Sequence, residues 1–517
     1  MEAQHSHRPF VLSLIAVAVS PRFVFTYLFS MTIRISSMWE DLAPELVLGI
    51  FRHFLSGLKL SVTEPALFPW YLGQICSSWR EIFISYPAFW SNFIIHLESQ
   101  VELQYDFVEA HCTTMHVEVD AHRALAILNT TCLPRSGNFP FSFKLVVYSS
   151  RMLKKRGGLQ ILELLVRQCT RWHDAHIELH ESGLPVLYRV KGKLPVLRSM
   201  WVNLWVLYDT PHIVKNILAG PPPSTYADLF VNTPQLRCLH VCYHPWTIDL
   251  SALTVIHLRY PYYQMSLLQD NHSRFSCLEE LNIYGRFKLS LDLDTVPVTL
   301  PSIKILRTVF GKALELIRTP MLQELCLTKI TELYEPDAPD FHDTLSTCLP
   351  SLPHLTKLTL CTNTPGDVEI LLQCMPVVSD LCLYACEPNY SGLRIGDPPE
   401  HCLRVCKSDL LEPLTECPKA RYLKTLTVGL LDCDENRLAN ITTWMRRKSL
   451  QDGVHCFDEL EHLSLVFGAL PDVHSFGVVK QHLKAEGIQN SIRKLNNEDD
   501  SILFDFYIDC DELDYTS

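Results

Sequence analysis

Residues Leu236-Arg237-Cys238-Leu239-His240-Val241 carry the pattern that decides the fold: apolar, two intervening residues, apolar, one intervening residue, apolar. The same unit recurs as Leu253-x-x-Ile256-x-Leu258, Leu278-x-x-Leu281-x-Ile283, Leu322-x-x-Leu325-x-Leu327, Leu355-x-x-Leu358-x-Leu360 and Leu423-x-x-Leu426-x-Val428. Further copies are Leu197-x-x-Met200-x-Val202, Val378-x-x-Leu381-x-Leu383 and Leu460-x-x-Leu463-x-Leu465, with Ile303-x-x-Leu306-x-x-Val309 a looser one. The closing apolar-x-apolar triplet is a period-two signal and predicts a strand. Proline stands shortly before many units (Pro195, Pro234, Pro301, Pro320, Pro353, Pro376) and marks a turn into each strand. Helical patterns at Gly158–Cys169, His212–Leu218, Asp367–Met375 and Arg437–Met445 lie between units. Strand alternating with helix favours parallel pairing.

Ten units whose apolar positions fill one continuous core resemble a leucine-rich-repeat solenoid, in which each repeat is stabilised by its neighbours. Their starts are 17 to 45 residues apart, against about 20–29 in a regular array, and the asparagine expected after the strand is missing from most. The expected second domain is therefore an irregular α/β solenoid with mostly parallel strands. The competing reading is an ordinary α/β domain with coincidental matches. Arg171-Trp172 before Ile177-x-Leu179 reads as an early repeat, and 502–510 as an added strand in an acidic tail. Strand positions between the leucines point away from the core, so His240, His257, Arg259, Tyr284, Thr359 and Tyr384 are candidates for holding a target. Tyr243, Trp246, Tyr260 and Tyr262 are neighbouring aromatic anchors.

The N-terminal part reads differently. Pro44 suits a first helical turn, Glu45 the positive end of the helix dipole. Leu46, Ile50 and Phe54, with Val47, Phe51 and Leu55 beside them, give a wide apolar stripe over about 44–55. A second helix is predicted from about Pro69 to Ser85 through Leu72, Ile75, Cys76, Trp79, Ile82 and Phe83. A third short element opens at Pro87. Two or three short helices carry more apolar surface than so small a bundle can bury, so another surface is expected to cover them. That surface is either the rest of this chain or a partner.

The strings Leu42-Ala43-Pro44-Glu45-Leu46, Ile50-Phe51, Ile75-Cys76-Ser77-Ser78-Trp79-Arg80 and Pro87-Ala88-Phe89-Trp90 resemble an F-box in order and spacing. The likeness covers about 55 of 517 residues. Its loop at 56–68 is longer than in many F-boxes, as in the large sets of mushroom-forming fungi, and Phe89 replaces the usual leucine. The resemblance implies binding to a Skp-type adaptor and through it to a cullin-RING ubiquitin ligase. Leu42, Pro44, Leu46, Ile50, Trp79 and Trp90 fall on the matching positions. Some hold the module together and some face the adaptor. Pro44 and Leu46 are the first candidates for contact.

Composition limits the alternatives. The chain has 47% hydrophobic and 20% charged residues and a formal net charge of −12. It is neither disordered nor suited to general nucleic-acid binding. Nineteen cysteines spread over the chain, many in apolar stretches, point to a reducing compartment, cytoplasm or nucleus. Residues 10–33 are largely apolar, interrupted by Pro21 and Arg22. They read as an extension ahead of a start at Met31 or Met38, as a membrane-contacting segment, or as a cleaved signal; membrane contact is not favoured. No nucleophile elbow, phosphate loop or zinc-protease helix occurs. His173, His176 and His180 with Glu178 and Glu181 read as a strand with a polar face, and His401-Cys402 with Cys406 lacks a second pair at structural-zinc spacing. No cofactor or metal is expected, and no catalytic residue. The expected organisation is an apolar extension (1–37), an F-box (38–95), a connecting region (96–150) and the solenoid with its acidic tail (151–517). The expected function is substrate recognition in a ubiquitin ligase. The alternatives are an F-box scaffold outside ubiquitination and a membrane-associated or secreted repeat protein.

Overall fold

In the computed structural model the six-residue units become neighbouring strands of one mostly parallel sheet, with helices and turns between them. The structure describes residues 42–55, 60–63, 73–99, 117–118, 120–147, 149–155, 157–207, 216–218, 224–241, 246–258, 267–283, 297–308, 312–328, 341–362, 365–375, 378–385, 414, 422–431, 460–467 and 489–494. Several expectations lie outside these: the 10–33 segment, Arg259, Tyr284, the cluster around His401, the helix at 437–445 and the strand at 502–510. The chain divides into two units, Met1–Ile94 with Ala126–Phe141, and Ile95–Leu125 with Ser142–Ser517. The stretch expected to connect two domains is thus shared between them.

In the second unit the strands follow chain order: β1 Phe141–Val147, β2 Trp172–His180, β3 Ser199–Leu207, β4 Cys238–Val241, β5 Val255–Leu258, β6 Glu280–Ile283 and β7 Ile305–Thr308. They continue as β8 Glu324–Thr328, β9 Lys357–Thr362, β10 Asp380–Ala385, β11 Thr425–Leu431, β12 His462–Phe467 and β13 Gln489–Lys494. From β2 onward each pairs in parallel with the next.

Register is set by a repeated backbone device. Two consecutive N–H groups at the start of each unit donate to one carbonyl of the unit before. Arg237 and Cys238 reach Arg198 O, Thr254 and Val255 reach Arg237 O, and Glu279 and Glu280 reach Thr254 O, at 2.8–3.0 Å. The fork continues through Glu279, Lys304, Gln323, Thr356 and Ser379 to Lys424. A carbonyl has two lone pairs, so one acceptor satisfies both donors. Ahead of the fork, the first apolar residue of a unit closes a turn: Leu236 N to Thr233 O (3.0 Å), Ile303 N to Leu300 O (3.4 Å) and Leu322 N to Thr319 O (3.1 Å). Pro234, Pro301 and Pro320 occupy the second position of these turns, where their fixed φ is already correct.

The alternation then places the apolar side chains. Leu197, Leu253, Leu278, Leu322, Leu281, Leu306, Leu325, Leu358, Leu381, Leu426 and Leu463 are fully buried. Each contributes roughly 1.5–3 kcal/mol by leaving water. Two expectations change. Ile283 pairs with Thr308, which is fully buried, so the looser unit keeps the regular spacing with Thr308, not Val309, in the third position. Of His212–Leu218, residues Asn216–Leu218 form a strand antiparallel to Trp205–Leu207, where the neighbouring strand supplies the hydrogen bonds and β-branched Ile217 suits an extended backbone. The Gly158–Arg167 and Pro365–Cys374 helices form close to where the periodicity put them.

In the first unit, α1 spans Pro44–Leu55 and α2 spans Ser77–Ser85, followed by a 3-10 turn at Pro87–Trp90. The apolar stripe of α1 divides. Val47 and Phe51 are buried, while Leu46 stays 59% exposed and Ile50 half-buried. Phe51 is the hub, with edge-on ring contacts to Trp79 at 5.2 Å, Phe83 at 5.8 Å and Phe89 at 5.8 Å. Trp90 Nε1 donates to Phe83 O at 3.0 Å, and the Arg135 guanidinium lies 4.4 Å from its ring centroid. Leu60 pairs with Phe93 and Ser61 with Ile94 as a short parallel ladder.

Phe51→Ala is expected to lower stability by about 3–5 kcal/mol through loss of the hub, whereas Leu46→Ala should stay within about 0.5 kcal/mol. Chemical denaturation followed by tryptophan fluorescence distinguishes the two.

Candidate functional site

Because successive strand residues face opposite ways, the residue between the second and third apolar positions of each unit lies on the sheet face opposite the leucines, where His257, Asn282, Cys326 and Thr359 are nonetheless buried. Parallel register lines these residues up across the strands. His176 lies opposite Trp201, Trp201 opposite His240, and His240 opposite His257. The row continues through Asn282, Arg307, Cys326, Thr359, Cys382 and Thr427.

The first part of the row is a stack of rings. His176 and Trp201 have centroids 4.1 Å apart, Trp201 and His240 4.7 Å, and His240 and His257 3.8 Å, with interplanar angles of 18°, 11° and 6°. Adjacent strands are about 4.8 Å apart, close to the spacing at which planar rings pack, so an in-register column of aromatic residues stacks with little adjustment. Burial pushes His257 down to about 4, the field of Arg307 adding to it and that of Glu280 opposing it. Burial, then the fields of His257 and His176, hold His240 well below the ordinary histidine range. Both imidazoles are neutral at pH 7.

The next part is a charge network. Arg307 pairs with Glu280, lies 3.7 Å from the Glu324 carboxylate as a second ion pair, and donates to Asn282 Oδ1 at 3.2 Å. Asn282 Nδ2 donates to Glu280 Oε1 at 2.9 Å, and Lys357 reaches Glu324 at 3.2 Å. Beyond it, burial raises the Cys326 thiol to about 12, which makes it an inert core group.

Of the expected target-holding residues, His240 and His257 meet in the ring stack, and Thr359 is buried farther along the same row. Tyr384 is two residues beyond Cys382 on the same face, half-buried, and opposite Gly429. A Cβ at Gly429 would overlap the Tyr384 ring, so glycine is what lets the ring lie across that strand. Trp246 is 8% exposed and packs edge-on against Phe230 at 5.1 Å, which makes it a core residue, not a surface anchor. The three histidines of β2 have separate partners: His173 with Asp174, His176 with Glu178 and His180 with Ser182.

Trp201, Asn282, Arg307 and their carboxylates were not singled out by sequence reasoning. Reading the variable position of every unit as one column would have found them. One further cluster is present: ligand atoms of Cys238, His240 and His257 lie within 4.8 Å of one another.

On the first unit, Leu42 and Ile50 are half-buried, Pro44 and Leu46 exposed, and Trp79 and Trp90 buried. The six motif positions therefore separate into packing tryptophans and an outward α1 set. Of the five large hydrophobic side chains that are exposed among the described residues, Leu46, Ile75, Ile84 and Phe139 belong to this unit, and Met321 to the other. Among the described residues no helix is long and apolar enough to cross a membrane.

No protein-family model matches the chain, and no curated protein matches it. Among solved structures it is similar to a Bacteroides fragilis protein at 13% identity and a TM-score of 0.25, over 47% of this chain and 66% of that one.

Two outcomes follow from the face. Arg307→Ala leaves Glu280 with Asn282 but without this cation and removes one of the two cations beside Glu324, and it should cost about 1–3 kcal/mol, read by urea denaturation at low and high salt. Gly429→Ala should destabilise by about 1–3 kcal/mol, and most of that loss should vanish in a Tyr384→Ala background. Equal losses in both backgrounds would contradict the packing described.

Proposed function

We propose that the chain is an F-box-type substrate-recognition subunit of a cullin-RING ubiquitin ligase, acting in the cytoplasm or nucleus. Its α1–α2 module binds a Skp-type adaptor, and the outward face of its parallel sheet holds a protein target. The observation that carries the reading is the division of α1. An aromatic core built on Phe51 fixes the helix, yet Leu46 is held 59% exposed beside exposed Pro44 and half-buried Ile50. Large apolar residues on a rigid helix, with their own core already filled, are what a partner surface requires.

Such a subunit needs no catalytic residue. It accelerates transfer by holding a target near the ligase, which raises effective concentration. The second unit supports this role with an in-register face whose half-buried members, His176, Trp201, His240 and Arg307, are the ones offered to a partner. Leu42, Pro44, Leu46 and Ile50 form the proposed contact, and Trp79 and Trp90 support it from beneath.

The test compares the wild-type chain with a Pro44→Ala/Leu46→Ala variant for binding to a purified Skp-type adaptor, after circular dichroism confirms that both are folded. The variant should bind at least about tenfold more weakly. Equal affinity, or no binding by a folded wild-type chain, would overturn the reading. Adaptor binding without recruitment of the cullin would favour a scaffold outside ubiquitination.

A further inference from the structure

We propose that Cys238, His240 and His257 form a zinc site on the outward face of the second unit, a role independent of the adaptor contact. Cys238 and His240 are two residues apart on β4 and so project from the same face, and His257 on β5 lies directly across from His240. A pair at i and i+2 with a third residue on the adjacent strand brings three side chains over one point. Their ligand atoms are already within 4.8 Å of one another.

Zinc binds thiolate sulfur at about 2.3 Å and imidazole nitrogen at about 2.0–2.1 Å, which puts tetrahedral donors about 3.3–3.6 Å apart. Closing that gap takes about an ångström of side-chain movement. The two imidazoles lie 3.8 Å apart and nearly parallel, and parallel rings cannot both aim an in-plane lone pair at one ion. One ring must therefore turn about χ2, which exchanges its stacking contact with the other for a bond to the ion. Cys238 and His240 are half-buried and His257 is buried.

Glu280 acts on His257 in the sense that favours positive charge there, and the opposing field of Arg307 is offset by its pairing with Glu280 and Glu324. One sulfur and two imidazole donors select zinc over magnesium or calcium, which take oxygen. Zinc enters as Zn²⁺ with a water molecule as fourth ligand. The Cys238 thiol releases one proton to solvent, and the bound site carries one net positive charge. The ion would tie two neighbouring strands together and leave its fourth position to water or to a donor from a bound target.

The test uses the full chain, stripped with chelator under reducing conditions, and titrated with Co²⁺ as a spectroscopic stand-in for zinc. Wild type should show a thiolate-to-cobalt charge-transfer band and tetrahedral d–d absorption, both absent from Cys238→Ser. After dialysis the wild type should retain about one more equivalent of zinc than Cys238→Ser or His257→Gln, and added zinc should raise the wild-type melting temperature alone. The same band and zinc content in wild type and both variants would place the metal on other cysteines and overturn the site. If a variant does not fold, the wild type decides: no thiolate band and no zinc-dependent rise in melting temperature would also overturn it.

Discussion

The fork of two backbone N–H groups on one carbonyl is the constraint on which the second unit depends. It fixes each strand against the last at one end only, from Arg198 through Lys424. The chain between two forks can then be short or long without shifting the strands. That is why units spaced 17 to 45 residues apart in sequence still pair in parallel, with a register shift between Val428 and Leu431. A loop's closure entropy grows only slowly with its length, so these insertions cost little so long as the fork is made.

Register in turn produces the two faces. Inward, it stacks leucines into a continuous core. Outward, it stacks whatever the variable position holds, and here that is a column of histidines and a tryptophan followed by an arginine between two glutamates. The face therefore has two chemistries side by side: flat, neutral rings, and charges already paired within the sheet. In the first unit rigidity has a different source, the aromatic cluster around Phe51, which lets α1 keep apolar side chains in water.

The apolar six-residue units were legible in sequence because burial of Leu, Ile and Val leaves a period-two trace that local residues alone reveal. The turn prolines were legible for the same reason. Thr308 was not, because a threonine fits the core position only once Ile283 and Leu327 hold the register on either side. Local periodicity alone predicts helix at Asn216–Leu218, because the deciding hydrogen bonds come from Trp205–Leu207. Of the outward face, His240 and His257 could be named as single positions, but their stacking with Trp201 depends on pairing across β3, β4 and β5. The roles of Trp79 and Leu46 also could not be separated by periodicity, since both lie on apolar stripes. Only packing against Phe51 distinguishes the buried ring from the exposed side chain.

The proposed role of α1 is to bind a partner, with the sheet face of the second unit taking no part in that contact. Hydrogen exchange of the full chain, with and without a saturating Skp-type adaptor, tests it most directly. The account predicts slowed exchange confined to residues 42–55 and 77–90, with strands β4 to β9 unchanged. Protection of those strands without protection of α1, or no change anywhere once binding is established, would contradict it.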